Sequence, residues 1–246
     1  MGLKYIEPHE ITYYECDFHQ QLTIPMLINI LIKTSESQTN QIANNQILID
    51  NHLGWIITQY DIEITRLPKN GETVYITTEA ESYNKYFCYR NFWLHSRTGK
   101  LLVKLQSVFS LMNLQTRKIA PITAEIVAAY QAEATTKLKR LTKIEQCLGC
   151  ELEKTYQVRY FDLDTNAHVN NARYFDWLMD ALEMEFLTHY EPKAISIKFE
   201  KEVSYGDQVT SHVTIADNKQ QTYHEITNQG IRCAEAMITW RMREKD

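Results

Sequence analysis

Apolar and polar residues follow two rhythms along this chain, and each rhythm occurs twice. In residues 22–32, Leu22, Ile24, Met26, Leu27, Ile28, Ile30, Leu31 and Ile32 recur with few interruptions. In residues 169–187, Val169, Ala172, Tyr174, Phe175, Trp177, Leu178, Ala181, Leu182 and Phe186 cover much of a helix circumference. A surface helix carries one apolar stripe, whereas a helix apolar nearly all round is buried on most sides. Each segment therefore predicts a helix wrapped by a sheet. The sheets are read from alternation. Residues 74–81 (Val-Tyr-Ile-Thr-Thr-Glu-Ala-Glu) alternate as a half-buried strand does. Further strands are expected at 87–95 and 101–112, with a turn at Thr98-Gly99 between them. The second half offers 208–215, 222–228 and 231–242, the last two turning at Gln229-Gly230. Each half reads as strand, buried helix, then four strands. A short helix over 124–133 and a linker over 137–150 stand between them.

The two halves align residue by residue. Asp17 meets Asp164 at a shift of 147 (164 − 17), which sets Leu22 against Val169 and Thr23 against Asn170. Thr and Asn both cap helices, because their side-chain oxygens accept from exposed N–H groups of the first turn. Pro25 then falls in the first turn, where its missing N–H costs nothing. Later landmarks keep pace: Gly71-Glu72 meets Gly206-Asp207 (206 − 71 = 135), and Gly99 meets Gly230 (230 − 99 = 131). The falling shift removes 12 residues (147 − 135) between helix and next strand in the second copy. The polar stretch 35–45 accounts for them as a loop of the first copy.

Composition narrows the chemistry. A chain of 246 residues holds one large domain or two of about 100–130. Hydrophobic content of 44% with 23% charged residues describes an ordinary soluble globular protein. A net charge of −5 excludes a general nucleic-acid binder. No apolar run approaches the roughly 18–20 residues that span a bilayer. The first residues lack a signal core, so a cytoplasmic location without membrane contact is expected. Five cysteines are an odd number for a disulfide framework, and cytoplasmic thiols stay reduced. Cys147-Leu148-Gly149-Cys150 has the spacing of a metal or redox pair, but no second pair accompanies it. It reads as linker, and no metal or organic cofactor is implied. The chain has no GxSxG elbow, no GxxxxGK[ST] and no GxGxxG, and its 7 glycines leave little room for phosphate-cradling loops.

One segment remains rich in chemistry. Asp164, Asn166 and His168 occupy alternate positions of Tyr160-Phe161-Asp162-Leu163-Asp164-Thr165-Asn166-Ala167-His168-Val169-Asn170-Asn171. Alternate residues of an extended segment point the same way, so a carboxylate, an amide and an imidazole converge. A helix starting just after them adds backbone N–H groups and the positive end of its dipole. Those are parts of an acyl-transfer site. They are equally parts of an Asp- and Asn-rich turn that caps a helix.

The gapless match Asp164-Thr165-Asn166-Ala167-His168-Val169-Asn170-Asn171 to the pattern DxNxHVNN resembles the acyl-acyl carrier protein thioesterase family. Two further segments are similar to it: Trp55 with Tyr60-Asp61-Ile62-Glu63-Ile64-Thr65-Arg66-Leu67-Pro68, and Met112-Asn113-Leu114-Gln115-Thr116-Arg117-Lys118. The resemblance implies an α+β chain of two tandem hotdog domains, each a long buried helix wrapped by an antiparallel sheet. The expected division is an N-terminal domain at 1–133 with a degenerate site, a linker at 134–152 and a catalytic C-terminal domain at 153–246. The implied activity is hydrolysis of fatty acyl-acyl carrier protein in fatty acid biosynthesis, with the acyl carrier protein as partner.

The family also uses a glutamate on the strand after the helix, and the matching position here is Glu202. Plant members commonly carry a cysteine directly after it; this chain has Val203, so a cysteine nucleophile is excluded there. Under the resemblance Asp164 is the carboxylate nearest the thioester carbonyl, as nucleophile or as orienter of water. Asn166 holds that carboxylate or the water, His168 orients water or shuttles a proton, and Glu202 is the general base. Backbone N–H groups opening the second helix are expected to hold the oxyanion. The repeat supports a specialised set: Asn166 aligns with His19, His168 with Gln21 and Glu202 with Leu67, and only the Asp is common to both copies. One active site per chain follows, with the first copy supplying packing and much of the acyl pocket. An acyl-CoA thioesterase, a non-catalytic acyl-binding hotdog module and a hotdog hydratase stay open as rivals. An acidic carrier needs a basic face, for which Lys137, Lys139, Arg140 and Lys143, or Arg117 and Lys118, are candidates. Chain-length preference depends on which of Ile24, Leu27, Ile28 or Leu31 blocks the cavity, and a homodimer is among the assemblies left open.

Overall fold

The computed structural model describes residues 2–42, 45–145, 149, 151–164 and 168–244. The chain divides into two compact units, residues 1–60 with 65–141 and residues 61–64 with 142–246. The first unit runs β1 (Lys4–Glu10), a 3-10 turn (Tyr13–Glu15), α1 (Ile24–Ile42), α2 (Gln46–Asp50), β2 (Leu53–Ile64), β3 (Thr73–Tyr83), β4 (Cys88–Ser96) and β5 (Leu101–Asn113). Short pieces close it: β6 (Lys118–Ala120), α3 (Ala124–Val127), a 3-10 turn (Ala128–Tyr130) and β7 (Glu133–Ala134). The helix expected at 124–133 thus stops early, where Gln131 turns left-handed at φ 53.

The second unit runs β8 (Leu152–Gln157), a 3-10 turn (Tyr160–Asp162), α4 (Asn171–Asp180), α5 (Met184–His189), β9 (Tyr190–Phe199), β10 (Gln208–Ile215), β11 (Gln221–Asn228) and β12 (Ile231–Met242). Hydrogen-bonded order is β1-β3-β4-β5-β2 in the first unit and β8-β10-β11-β12-β9 in the second. The two orders are the same order. Each unit is an α+β hotdog, and alternation legible in the sequence became its strands. Cys147 and Cys150, the spaced pair of the linker, lie outside the described residues.

In each unit the helix covers the inward face of its own sheet. Leu27, Ile28 and Leu31 of α1 are buried, and so are Val74 and Ile76 of β3 and Phe92 and Leu94 of β4. In the second unit Phe175 and Leu178 of α4 are fully buried, as are Val209, Val213, Ile226 and Ile238 on the strands. Each such side chain contributes about 1.5–3 kcal/mol by leaving water.

Two helical expectations are corrected. The polar stretch expected as a loop is helical as far as residue 42: α1 runs on to Ile42, for 19 residues against 10 in α4. Tertiary polar contacts hold the extension. Gln38, fully buried, donates to the Leu3 carbonyl at 2.8 Å and accepts from Arg90 at 2.6 Å. Thr39 Oγ1 meets the Tyr130 hydroxyl at 2.8 Å. The helix expected over 169–187 is two helices, because Glu183 takes an extended ψ of 149° and caps α5. Phe186 then stacks on Tyr190 at 4.8 Å and meets Trp240 edge-on at 5.0 Å. The bend keeps the apolar pattern buried on both sides of the break. Among the described residues no helix is long and apolar enough to cross a membrane.

Candidate active site

The loop between β8 and α4 is built on a buried carboxylate. Asp162 is 2% exposed, and its carboxylate accepts from the Arg159 backbone N–H at 2.8 Å and from Arg159 Nη2 at 2.8 Å and Nε at 3.2 Å. Arg173 Nε lies 3.6 Å away. Burial alone would raise the Asp162 pKa, but the bonds from Arg159 and the charges of Arg159 and Arg173 hold it below the usual value. The Asp162 carbonyl accepts the Asn170 N–H at 2.9 Å, and Leu163 bridges Val169. Inside this closure the Asp164 N–H donates to the His168 carbonyl at 2.7 Å, and the His168 N–H returns to Asp164 Oδ1 at 3.2 Å. Asn170 caps α4 by accepting the Ala172 N–H at 2.9 Å.

The first unit repeats the backbone bonds described for this loop. Glu15, 3% exposed, takes the place of Asp162 and accepts from the Thr12 N–H at 2.7 Å and from His9 Nε2 at 2.9 Å. Its carbonyl accepts the Thr23 N–H, Cys16 bridges Leu22, and the Asp17 N–H donates to the Gln21 carbonyl at 2.8 Å. Asp17 Oδ1 accepts from the His19 and Gln21 N–H groups at 2.9 and 3.1 Å. In both copies, then, the shared Asp uses its Oδ1 to fix the loop backbone. That is the reason Asp alone survives the comparison of copies.

Glu202 is held by a second repeated device. β9 ends at Phe199, and the Glu200 and Lys201 N–H groups both donate to the Cys233 carbonyl, at 2.8 and 3.2 Å. In the first unit Thr65 and Arg66 donate likewise to Leu102, which confirms Leu67 as the counterpart of Glu202. The turn that follows is closed by the Ser204 N–H on Asp207 Oδ2 at 2.8 Å and by Gly206 at φ 81. Glu202, expected on the strand, therefore stands in a loop just past it, because the bonds to Cys233 end the ladder before residue 202.

These two loops bring His168 and Glu202 together. His168 Nε2 lies 3.6 Å from Glu202 Oε2, with side chains 30% and 39% exposed. An exposed pair of this kind adds little stability. The separation exceeds a hydrogen bond. Asp164 joins them through the His168 backbone. Asn166 lies outside the described residues. The expected oxyanion donors are partly committed, because the Ala172 and Arg173 N–H groups bond to Asn170.

Sequence reasoning missed the support behind the loop. Arg173 links Asp162 to Asp176, donating from Nη1 to Asp176 Oδ2 at 2.9 Å. Burial raises the Asp176 pKa, against the opposing pull of Arg173. The acid at positions 15 and 162 of the two copies was the available signal, one frame short of the triplet. Among the described residues no group of three or more His, Cys, Asp or Glu could hold a metal ion.

Known proteins resemble the chain along nearly its whole length. Family models described as the acyl-ACP thioesterase N-terminal domain and C-terminal domain match residues 2–130 and 146–242. A chloroplastic acyl-[acyl-carrier-protein] hydrolase of Cuphea viscosissima is 25% identical over 235 residues, covering 89% of this chain and 57% of that protein. A chloroplastic oleoyl-acyl carrier protein thioesterase of Arabidopsis thaliana is 24% identical over 246 residues, covering 92% and 66%. The chain thus spans little more than half the length of the first of these. A provisionally assigned oleoyl thioesterase of Lactobacillus plantarum has a crystal structure that superposes with a TM-score of 0.94 at 37% identity, covering 99% of this chain and 98% of that one. The 12:0-ACP thioesterase of Umbellularia californica shares the fold, with a TM-score of 0.86 at 19% identity over 98% and 94% of the two chains.

Proposed function

The chain belongs to the acyl-ACP thioesterase family, and on that premise we propose that it hydrolyses fatty acyl-acyl carrier protein to free fatty acid and carrier protein. The observation that carries this reading is the approach of His168 to Glu202, in the copy that has both, on a scaffold whose other copy has Gln21 and Leu67. We assign the catalytic domain to residues 153–246, the degenerate domain to 1–133 and the linker to 134–152.

The chemistry runs through water. Glu202 accepts a proton as a water oxygen bonds to the thioester carbonyl carbon. His168, within reach of Glu202, takes part in carrying that proton to the departing sulfur as the carbon–sulfur bond breaks. Asp164 and Asn166 hold water and carbonyl in line. Direct attack by the Asp164 carboxylate through an anhydride is the competing route, and oxygen label entering the enzyme in a single turnover would identify it. The occupied Oδ1 of Asp164 favours the water route.

The partner is the acyl carrier protein. Of the basic residues expected to meet it, Lys139 is committed to Glu81 and lies over the Tyr89 ring. Lys137, Arg140 and Lys143 are exposed and better placed to meet an acidic surface. The free thiols of Cys16, Cys88 and Cys233 support a cytoplasmic setting. Glu202→Gln should lower kcat by about 10²–10⁴ in a protein that folds normally. Near-native turnover in that variant would remove Glu202 from the mechanism. Matched acyl chains should turn over faster on carrier protein than on CoA, the more so at low ionic strength. Equal or faster turnover on CoA would overturn the choice of carrier.

A further inference from the structure

Among the described residues four side chains that are charged at neutral pH are buried: Glu15, Glu79, Arg90 and Asp162. Three meet a basic group, His9 at 2.9 Å, Lys4 at 3.9 Å and Arg159 at 2.8 Å respectively. Arg90, 6% exposed on the inward face of β4, meets no acidic group among the described residues. Its Nη1 donates to Gln38 Oε1 at 2.6 Å and to Thr78 Oγ1 at 3.0 Å, and its guanidinium lies 5.2 Å from the centre of the Tyr130 ring. The titratable groups that bear on it are the Cys88 thiol and the Tyr130 phenol, with no carboxylate. Burial pushes the Cys88 thiol up to about 11, so it is neutral. An arginine stays charged in proteins, and buried charges are ordinarily paired.

The two hydrogens of Nη1 are spent on Gln38 and Thr78. That leaves Nε–H and both Nη2–H groups, of which Nε–H and one Nη2–H are the parallel donors of a single edge, the edge that grips a carboxylate or phosphate with two bonds. The fold does not demand the charge. Arg90 pairs with Ala80 across β3 and β4 as Thr222 pairs with Ile215 across β10 and β11, and the second unit closes its core there with a neutral threonine. Thr222 is satisfied by Trp240 Nε1 at 2.8 Å and His224 Nε2 at 2.7 Å.

We propose that the Nε–Nη2 edge of Arg90 is a binding site for an oxyanion, a carboxylate or phosphate group held by two bonds inside the first unit and supported by Gln38, Thr78 and Tyr130. The proposal does not rest on the proposed reaction. A fatty acid presents one such group and inorganic phosphate another. The test is thermal unfolding of the full chain with sodium acetate, sodium octanoate or sodium phosphate, each against sodium chloride of equal ionic strength. A ligand of the native state raises Tm in a saturable way. Wild type should show that rise and Arg90→Met should lose it, while Arg90→Lys, charged but without the fork, should bind at least tenfold more weakly. A rise with acetate and octanoate alone identifies a carboxylate site, and a rise with phosphate alone a phosphate site. Should Arg90→Met fail to fold, the Nε–H resonance of Arg90 in ¹⁵N-arginine-labelled wild type should move with ligand concentration. No saturable rise with any of the three salts, an Arg90→Met that responds like wild type, or an unmoved resonance would overturn the proposal. Turnover is not read, so failure of the hydrolytic assignment and failure of this one are distinguishable.

Discussion

Removing the carboxylate of Asp17 and that of Asp164 should cost comparable stability, about 1 kcal/mol each, since each accepts backbone N–H groups of its own loop. Only Asp164→Ala should also lose turnover by more than tenfold. Denaturant unfolding beside initial rates checks both halves, and an equal loss of turnover in Asp17→Ala would show that the first copy shares the chemistry. The sequence made this asymmetry legible, because the alignment of copies separates the Asp they share from the His168 they do not. It could not show the 3.6 Å approach of His168 to Glu202, which depends on the turn after β9 returning toward the loop before α4. Nor could it show Asp162 gripped by Arg159 and Arg173, because an acid beside an arginine in a string reads as a solvated surface.

The elements were readable where burial alone decides them. Strands β10 and β12 fall at the expected 208–215 and 231–242, because alternation fixes both the face and the length of a half-buried strand. Helix α1 defeated the same logic. Its last turns are polar, and their helicity comes from partners far along the chain: Leu3, Arg90 and Tyr130. Gln38→Leu removes the acceptor of the buried Arg90 while keeping an adequate helix former. It should therefore destabilise the first unit by about 1.5–3 kcal/mol, the worth of a hydrogen bond to a charged group. Helical content near residue 38, followed by hydrogen exchange, should fall in step. Unchanged protection would show that α1 holds its extension by local propensity.

For the molecule as a whole, acidity should act first through the second unit. His224 is fully buried, and burial pushes its pKa down to about 3, whereas an unfolded histidine takes up a proton near 6.5. The unfolded chain therefore binds the extra proton as pH falls. Stability is complete above pH 6.5 and is lost below it, by about 1–2 kcal/mol between pH 6.5 and 5. The paired carboxylates Glu72, Asp162 and Glu200, held below their usual values, give way only in a lower window. His224→Phe should flatten the upper slope, and an unchanged slope would locate the sensitivity elsewhere. The same comparison of copies bears on how such a chain can change over time. Leu67 is 5% exposed where the Glu202 side chain is 39% exposed, so the first copy has core where the second has its acid. Restoring a glutamate at 67 would bury a lone carboxylate at a cost of several kcal/mol before a His replaced Gln21 to meet it. The first copy is therefore closed to gaining such a site by single substitutions, because the first of them costs stability before the second can meet it.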